Sequence, residues 1–183
     1  INTVAPITNR TVTITNGSTA ANFDATITPS IQDRKLKVGN AWYRIAQHTS
    51  GASGATLESA FQEASVTASA CTIYQDEFEL TAADFARVAR IFDPRLSNWL
   101  EPVSMMHATI REQLSNPSQG DPYNYAMLTD TRLVLDYYPQ DARRLEVHYQ
   151  FFPPDLTIGG TDPDWPRWRR WMLEERGLFY LLM

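Results

Sequence analysis

Arg10-Thr11-Val12-Thr13-Ile14-Thr15-Asn16-Gly17 alternates β-branched residues and closes on a pair that tolerates positive φ. Such a run predicts a strand followed by a tight turn, and the same grammar repeats outward from it. Lys35-Leu36-Lys37-Val38-Gly39 and Ala41-Trp42-Tyr43-Arg44-Ile45-Ala46 flank Gly39-Asn40 as a second hairpin. Beyond the small-residue loop Ser50 to Gly54, Ala55-Thr56-Leu57-Glu58 and Ala70-Cys71-Thr72-Ile73-Tyr74 add two short strands. Strands at intervals of about a dozen residues between Gly, Ser and Asn clusters are the spacing of a small sandwich or barrel. Residues 10 to 76 are therefore expected to form one all-β unit.

Past residue 76 the composition shifts. Phe78-Glu79-Leu80-Thr81-Ala82-Ala83-Asp84-Phe85 predicts a turn or short helical corner, and Ala86 to Phe92 a strand that Asp93-Pro94 ends. Residues 103 to 115 place Met105, Met106, Thr109, Ile110, Gln113 and Leu114 at helical spacing, with Ser104 as cap and Asn116-Pro117 as stop. Tyr125-Ala126-Met127-Leu128 and Arg132 to Tyr137 flank Thr129-Asp130-Thr131 as a hairpin. Arg144 to Phe151 alternates strictly, with Leu145, Val147, Tyr149 and Phe151 on one face. A last helix starts at Asp164 with Pro166 in its first turn, where a missing N–H costs little, and gathers Trp165, Trp168, Met172, Phe179 and Leu182 on one stripe. The expected fold class is α+β: a small all-β insertion over 10–76, then a core over 77–183 in which antiparallel strands pack with a few helices.

At 183 residues the chain can bury a real core without metals or disulfides. Its single cysteine, Cys71, cannot form an internal bridge and fits a small buried hydrophobe in a strand. No apolar run approaches the ~20 residues of a membrane-spanning helix, and Ile1-Asn2-Thr3 carries no signal region. A start without methionine and an end inside the apolar pattern Leu181-Leu182-Met183 predict a fragment of something longer. A formal net charge of -5 argues against tight, sequence-independent nucleic-acid binding, which needs a basic footprint. Lys35 and Lys37 are the only lysines among sixteen Lys plus Arg, and arginine dominance suits paired or stacked contacts at interfaces.

The residues supply little for catalysis. His48, His107 and His148 have no metal-ligand spacing, and no serine sits in a glycine-flanked nucleophile turn. Asp76, Glu77, Glu79 and Asp84 form an acidic cluster without the glycine spacing of a calcium loop; as paired carboxylates they would suit a hydrolase, and as a polar corner they would join two elements. No catalytic, cofactor or metal site is expected. The run Trp165-Pro166-Arg167-Trp168-Arg169-Arg170-Trp171 is the sharpest local signal: interleaved Trp and Arg suit a protein interface, or one tryptophan face packs at home while the arginines stay in water; base stacking and an anionic membrane surface fit less well in an acidic chain whose helix continues with Glu174-Glu175. With Phe179, these residues are the candidate interface.

Taken in order, the segments resemble a known family. Thr11 to Ala20, Lys37-Val38-Gly39 with Trp42 to Ile45, Thr56-Leu57-Glu58, and Ile73 to Asp76 with Glu79-Leu80 and Asp84-Phe85 look like the inserted β-domain of the head-to-tail connector (adaptor) proteins of tailed bacteriophages. Gly120-Asp121-Pro122-Tyr123, Leu133-Val134-Leu135 before Tyr138-Pro139, Val147-His148-Tyr149, and Pro153 to Leu156 with Asp162 and Pro166 are similar to that family's second half. The sequence departs from the family at its start, where the family's long helical N-terminal segment is not found, at Thr81, where a proline is commoner, and in its tryptophan-rich last helix. The resemblance implies a structural virion protein, made in the host cytoplasm and sited at the head–tail interface. Its copies would form a ring, most often of twelve, docked below the portal protein and joined to tail or nozzle proteins. Genomic DNA would pass through the channel without sequence-specific binding, and no enzymatic turnover would be required. The alternative is a carbohydrate- or receptor-binding β-module of a phage tail, for which Trp42, Tyr43 and Tyr74 would supply a stacking platform.

Overall fold

A computed structural model of the chain describes residues 1–81 and 85–151. Contacts divide the chain into Ile1–Gln150 and Phe151–Met183. In the first unit the β-structure falls into a barrel and a sheet.

Six strands build the barrel: β1 (Ile7–Ile14), β2 (Ala20–Phe23), β3 (Lys35–Val38), β4 (Ala41–His48), β5 (Gly54–Leu57) and β6 (Val66–Tyr74). They close in the order β1-β2-β5-β4-β3-β6, every neighbour antiparallel. Alternation drives the closure. Val12 and Ile14, Ala21 and Phe23, Leu36 and Val38, Tyr43 and Ile45, Ala55 and Leu57, and Cys71 and Ile73 all point into one buried cluster. Gly39 (φ 60°) makes the two-residue turn between β3 and β4 and is its only positive-φ residue, as a II′ turn requires.

The connections seal the barrel at both ends. Ile27 and Ile31, on the crossing from β2 to β3, join the core at one end, and Phe61 joins it at the other. Phe61 is held there by backbone hydrogen bonds to Gly17 and Ser18 and lies against the Tyr43 ring, 5.2 Å between centroids.

The second part of the unit is a six-stranded sheet in the order β12-β8-β9-β10-β11-β7. Its strands are β7 (Glu77–Glu79), β8 (Phe85–Asp93), β9 (Asn98–Pro102), β10 (Asn124–Met127), β11 (Arg132–Leu135) and β12 (Glu146–Phe151). Phe78, Ile91, Leu100, Tyr125, Leu133, Leu135 and Leu145 form its core. A helix, α1 (Ala108–Ser115), lays Ile110 on Ala126 and Val134.

The α+β class expected from the sequence is overturned: the described residues are mostly β, with α1 as their one helix, rather than strands packed with several helices. Local causes are visible. Glu77-Phe78-Glu79 alternates and pairs with β11 instead of turning into a helical corner. Val103 stays extended because its N–H bonds to Tyr125 O, and Ser104 caps a turn before the helix, its Oγ accepting from Met106 N; α1 therefore begins only at Ala108. The predicted last helix, with Trp165, Arg167, Trp168, Arg169, Arg170, Trp171 and Phe179, lies outside the described residues.

The barrel interrupts the sheet. Asn2 bridges Arg144, Thr3 N–H bonds to Arg143 O, and Leu145 N–H bonds to Ile1 O, so the chain starts along the segment leading into β12. It then leaves for β1, completes the barrel, and returns at β7.

Candidate functional site

The foot of the barrel, where β6 hands the chain to β7, concentrates the charge. β3 opens with Lys35, whose register partner is Tyr74, the last residue of β6. Leu36 and Val38 fill the barrel, so Lys35 and Lys37 point out of its wall, toward the sheet. Lys35 Nζ lies 3.0 Å from Asp76 Oδ1, 3.1 Å from Asp76 Oδ2 and 2.7 Å from Glu77 Oε1. The Lys35 and Asp76 side chains are 3% and 1% exposed, so this is a buried ion pair and not a surface one.

The charged and amide neighbours of that pair are engaged, whereas the buried Tyr74 hydroxyl has no hydrogen-bond partner. Gln113 of α1 donates from Nε2 to Asp76 Oδ2 at 3.2 Å, while its Oε1 accepts from Ser118 N–H. Glu77 Oε2 takes Arg132 at 2.7 Å and Arg44 at 3.3 Å, and Arg44 also reaches Asp33 at 3.2 Å. Leu135 N–H bonds to the Asp76 carbonyl, and Lys37 Nζ donates to Pro117 O at 3.1 Å. Three cations (Lys35, Arg44, Arg132) thus meet three carboxylates (Asp33, Asp76, Glu77). Rings complete the enclosure: Trp42 lies 4.7 Å from Lys35 Nζ, and Tyr74 stacks on Tyr138 at 4.4 Å.

Electrostatics follow from that burial. Loss of water pushes the Asp76 carboxyl above its ordinary range, opposed by the Lys35 charge. Burial, aided by the Asp76 charge, also pushes the Tyr74 phenol up. A cleft of about 480 Å³, with Asp33, Arg44, Gln75, Glu77 and Arg132 in its wall, opens beside the cluster. The arrangement binds β3, β4, β7, β11 and α1 to one another.

A second buried network lies in the sheet. Arg143 reaches Asp93 at 2.9 Å and Asp121 at 2.7 Å, and Thr3 Oγ1 accepts from Arg143 N–H at 3.0 Å. Asp93 Oδ1 in turn accepts from Arg95 N–H.

The sequence-predicted residues scatter. Asp76 and Glu77 belong to the buried cluster, Glu79 bonds instead to Thr131, and Asp84 lies outside the described residues. His48 is a structural residue: its Nδ1 accepts from Ile31 N–H and its Nε2 faces Ala52 O. His148 sets its ring edge-on to Trp99. Cys71 is buried in the barrel, its thiol pushed up to about 11 by burial. Tyr43 faces the barrel core and Tyr74 is stacked on Tyr138, so Trp42, Tyr43 and Tyr74 form no open platform. The described residues hold no group of three or more His, Cys, Asp or Glu suited to a metal ion, and no helix long and apolar enough to cross a membrane.

Sequence reasoning missed Lys35, Arg44, Gln113, Arg132 and the Arg143–Asp93 pair. One signal was present for the first: a chain that elsewhere uses only arginine spends both of its lysines on β3. Comparison with family models, curated proteins and solved structures finds no match for this chain.

Proposed function

We propose that this chain is a structural assembly protein: a head-to-tail connector of a tailed phage, whose copies ring the DNA channel below the portal. The observation that carries the reading is the inserted barrel. The chain pairs Ile1–Thr3 beside Arg143–Leu145, departs into β1–β6, and resumes the sheet at β7. A β-domain inserted at that place, followed by Gly120 to Tyr123 and Val147-His148-Tyr149 in order, is what the resemblance calls for. The reading rests on insertion and motif order, not on helical content.

The charged cluster supports the same role. Its charged side chains pair with one another, which suits an element that holds two parts of a subunit at a fixed angle better than one that turns over a substrate. Ring subunits contact their neighbours through two different faces, and closure depends on that angle.

The test is mass photometry and negative-stain microscopy of the full-length protein, alone and mixed with its portal. Closed rings, with a copy number near twelve, are expected. Single copies at every concentration, with and without portal, would overturn the assignment.

A further inference from the structure

We propose that Lys35 and Asp76 become joined by an amide bond inside the folded chain, with Glu77 moving the protons. The inference stands on the cluster's geometry and does not depend on the connector reading.

The reacting groups are already adjacent. Because Nζ lies 3.0 Å from one Asp76 oxygen and 3.1 Å from the other, it is within about 3.5 Å of the carboxyl carbon between them, a near-attack separation. A pair held at this distance is spared the entropy of encounter, and attack needs only a rotation that brings the nitrogen over the face of the carboxyl group. Glu77 Oε1 lies 2.7 Å from the same nitrogen, close enough for its carboxylate to receive a proton from it. Gln113 Nε2–H, on Asp76 Oδ2, stands where negative charge grows as the carbon becomes tetrahedral. Trp42, Tyr74 and Tyr138 shield the site from the water that would compete with the amine. Desolvation also favours the neutral acid at Asp76, the form an amine attacks.

The step balances. Nζ bonds to Cγ of Asp76 and the Cγ–Oδ1 bond breaks. Glu77 passes two protons in turn from the ammonium to the departing oxygen, which leaves as water. The ammonium and carboxylate become one neutral amide, with no net proton gained or lost and no oxidant needed. Charge stays balanced around the product, since Glu77 and Asp33 still face Arg44 and Arg132. A buried ion pair, costly to desolvate, is replaced by a neutral group.

The rest of the chain supplies a contrast. Arg143 and Asp93 are as deeply buried and as close, but a guanidinium is a poor nucleophile that keeps its proton. Lys37 Nζ meets the backbone carbonyl of Pro117, an unreactive amide. Among the described residues, Lys35 alone faces a buried carboxyl with a second carboxylate at hand.

The experiment is the intact mass of the purified full chain, sprayed after denaturation, with peptide mapping. A mass about 18 Da below that of the unmodified chain is expected, with the peptides containing Lys35 and Asp76 linked. An unmodified mass after prolonged incubation at neutral pH overturns the proposal, as does a water loss mapped to any other pair. Lys35→Arg and Glu77→Gln, checked for folding by circular dichroism, are expected to keep the unmodified mass; a folded, linked Glu77→Gln would remove Glu77 from the mechanism. Should those variants fail to fold, the wild-type mass and map decide alone.

Discussion

The barrel and the sheet solve the same problem by different means. In the barrel, alternation along six strands sends every second side chain inward, and closure leaves no strand edge to protect. The sheet keeps β7 and β12 as edges, and its apolar core is smaller. It compensates with buried charge: Asp93, fully buried, is satisfied by Arg143, which also bonds Asp121. Alternation specifies most of the first region. The second depends on a few specific polar pairs, and such pairs fail abruptly when one partner is lost.

The largest test of that contrast removes Arg143. Arg143→Ala strands the Asp93 carboxylate in the core, which costs about 3–5 kcal/mol. Hydrogen exchange should then accelerate in β8, β9 and β12. Native thiol labelling of Cys71 at pH 8 should stay slow, because its thiol is pushed up to about 11 by burial and becomes accessible only when the barrel opens. Fast labelling in this variant would mean that the two regions unfold as one.

A milder change probes the barrel. Ile73→Val removes one methylene from a fully buried position and is expected to cost about 0.5–1.5 kcal/mol in denaturant titration. A larger loss would show a core less able to relax than close packing alone implies. The smallest effect belongs to the surface of the sheet. Arg95 and Asp141 are paired but half exposed, so Arg95→Ala should shift stability by less than about 1 kcal/mol and lose even that at high salt. A salt-insensitive cost would place this pair with the buried network instead.

Much of the barrel is legible in the sequence because its rule is local. The run Thr11 to Ile14, the turn at Gly39-Asn40 and the pairs Ala55/Leu57 and Cys71/Ile73 each announce a strand, and β1, β3–β4, β5 and β6 lie there. β2 is not legible: Ala20 to Phe23 is short, with one large apolar residue, and becomes a strand by pairing with β1 and β5. β9 is similar, since Asn98 to Pro102 places only Leu100 in the core.

The charged cluster is half legible. Asp76 and Glu77 stand out as a polar corner, but their cations come from β3, β4 and β11, far away along the chain. Lys35 looks like a solvated residue on the outer face of a strand; it is buried because a second layer covers that face, and no short-range pattern encodes a covering layer.

The inserted barrel also has a mechanical meaning. The chain crosses between barrel and sheet twice, before Ile7 and after Tyr74, and Ile7 pairs with Ile73, so both crossings lie side by side. Two adjacent tethers make a hinge, which transmits tension but resists little torque. Resistance to twisting comes from off-axis braces: Lys35 on Asp76 and Glu77 and Lys37 on Pro117, one strand away, and Arg44 on Glu77 from the strand beyond. A brace of hydrogen bonds yields gradually under load, whereas a covalent one would hold its angle until the fold itself gave way.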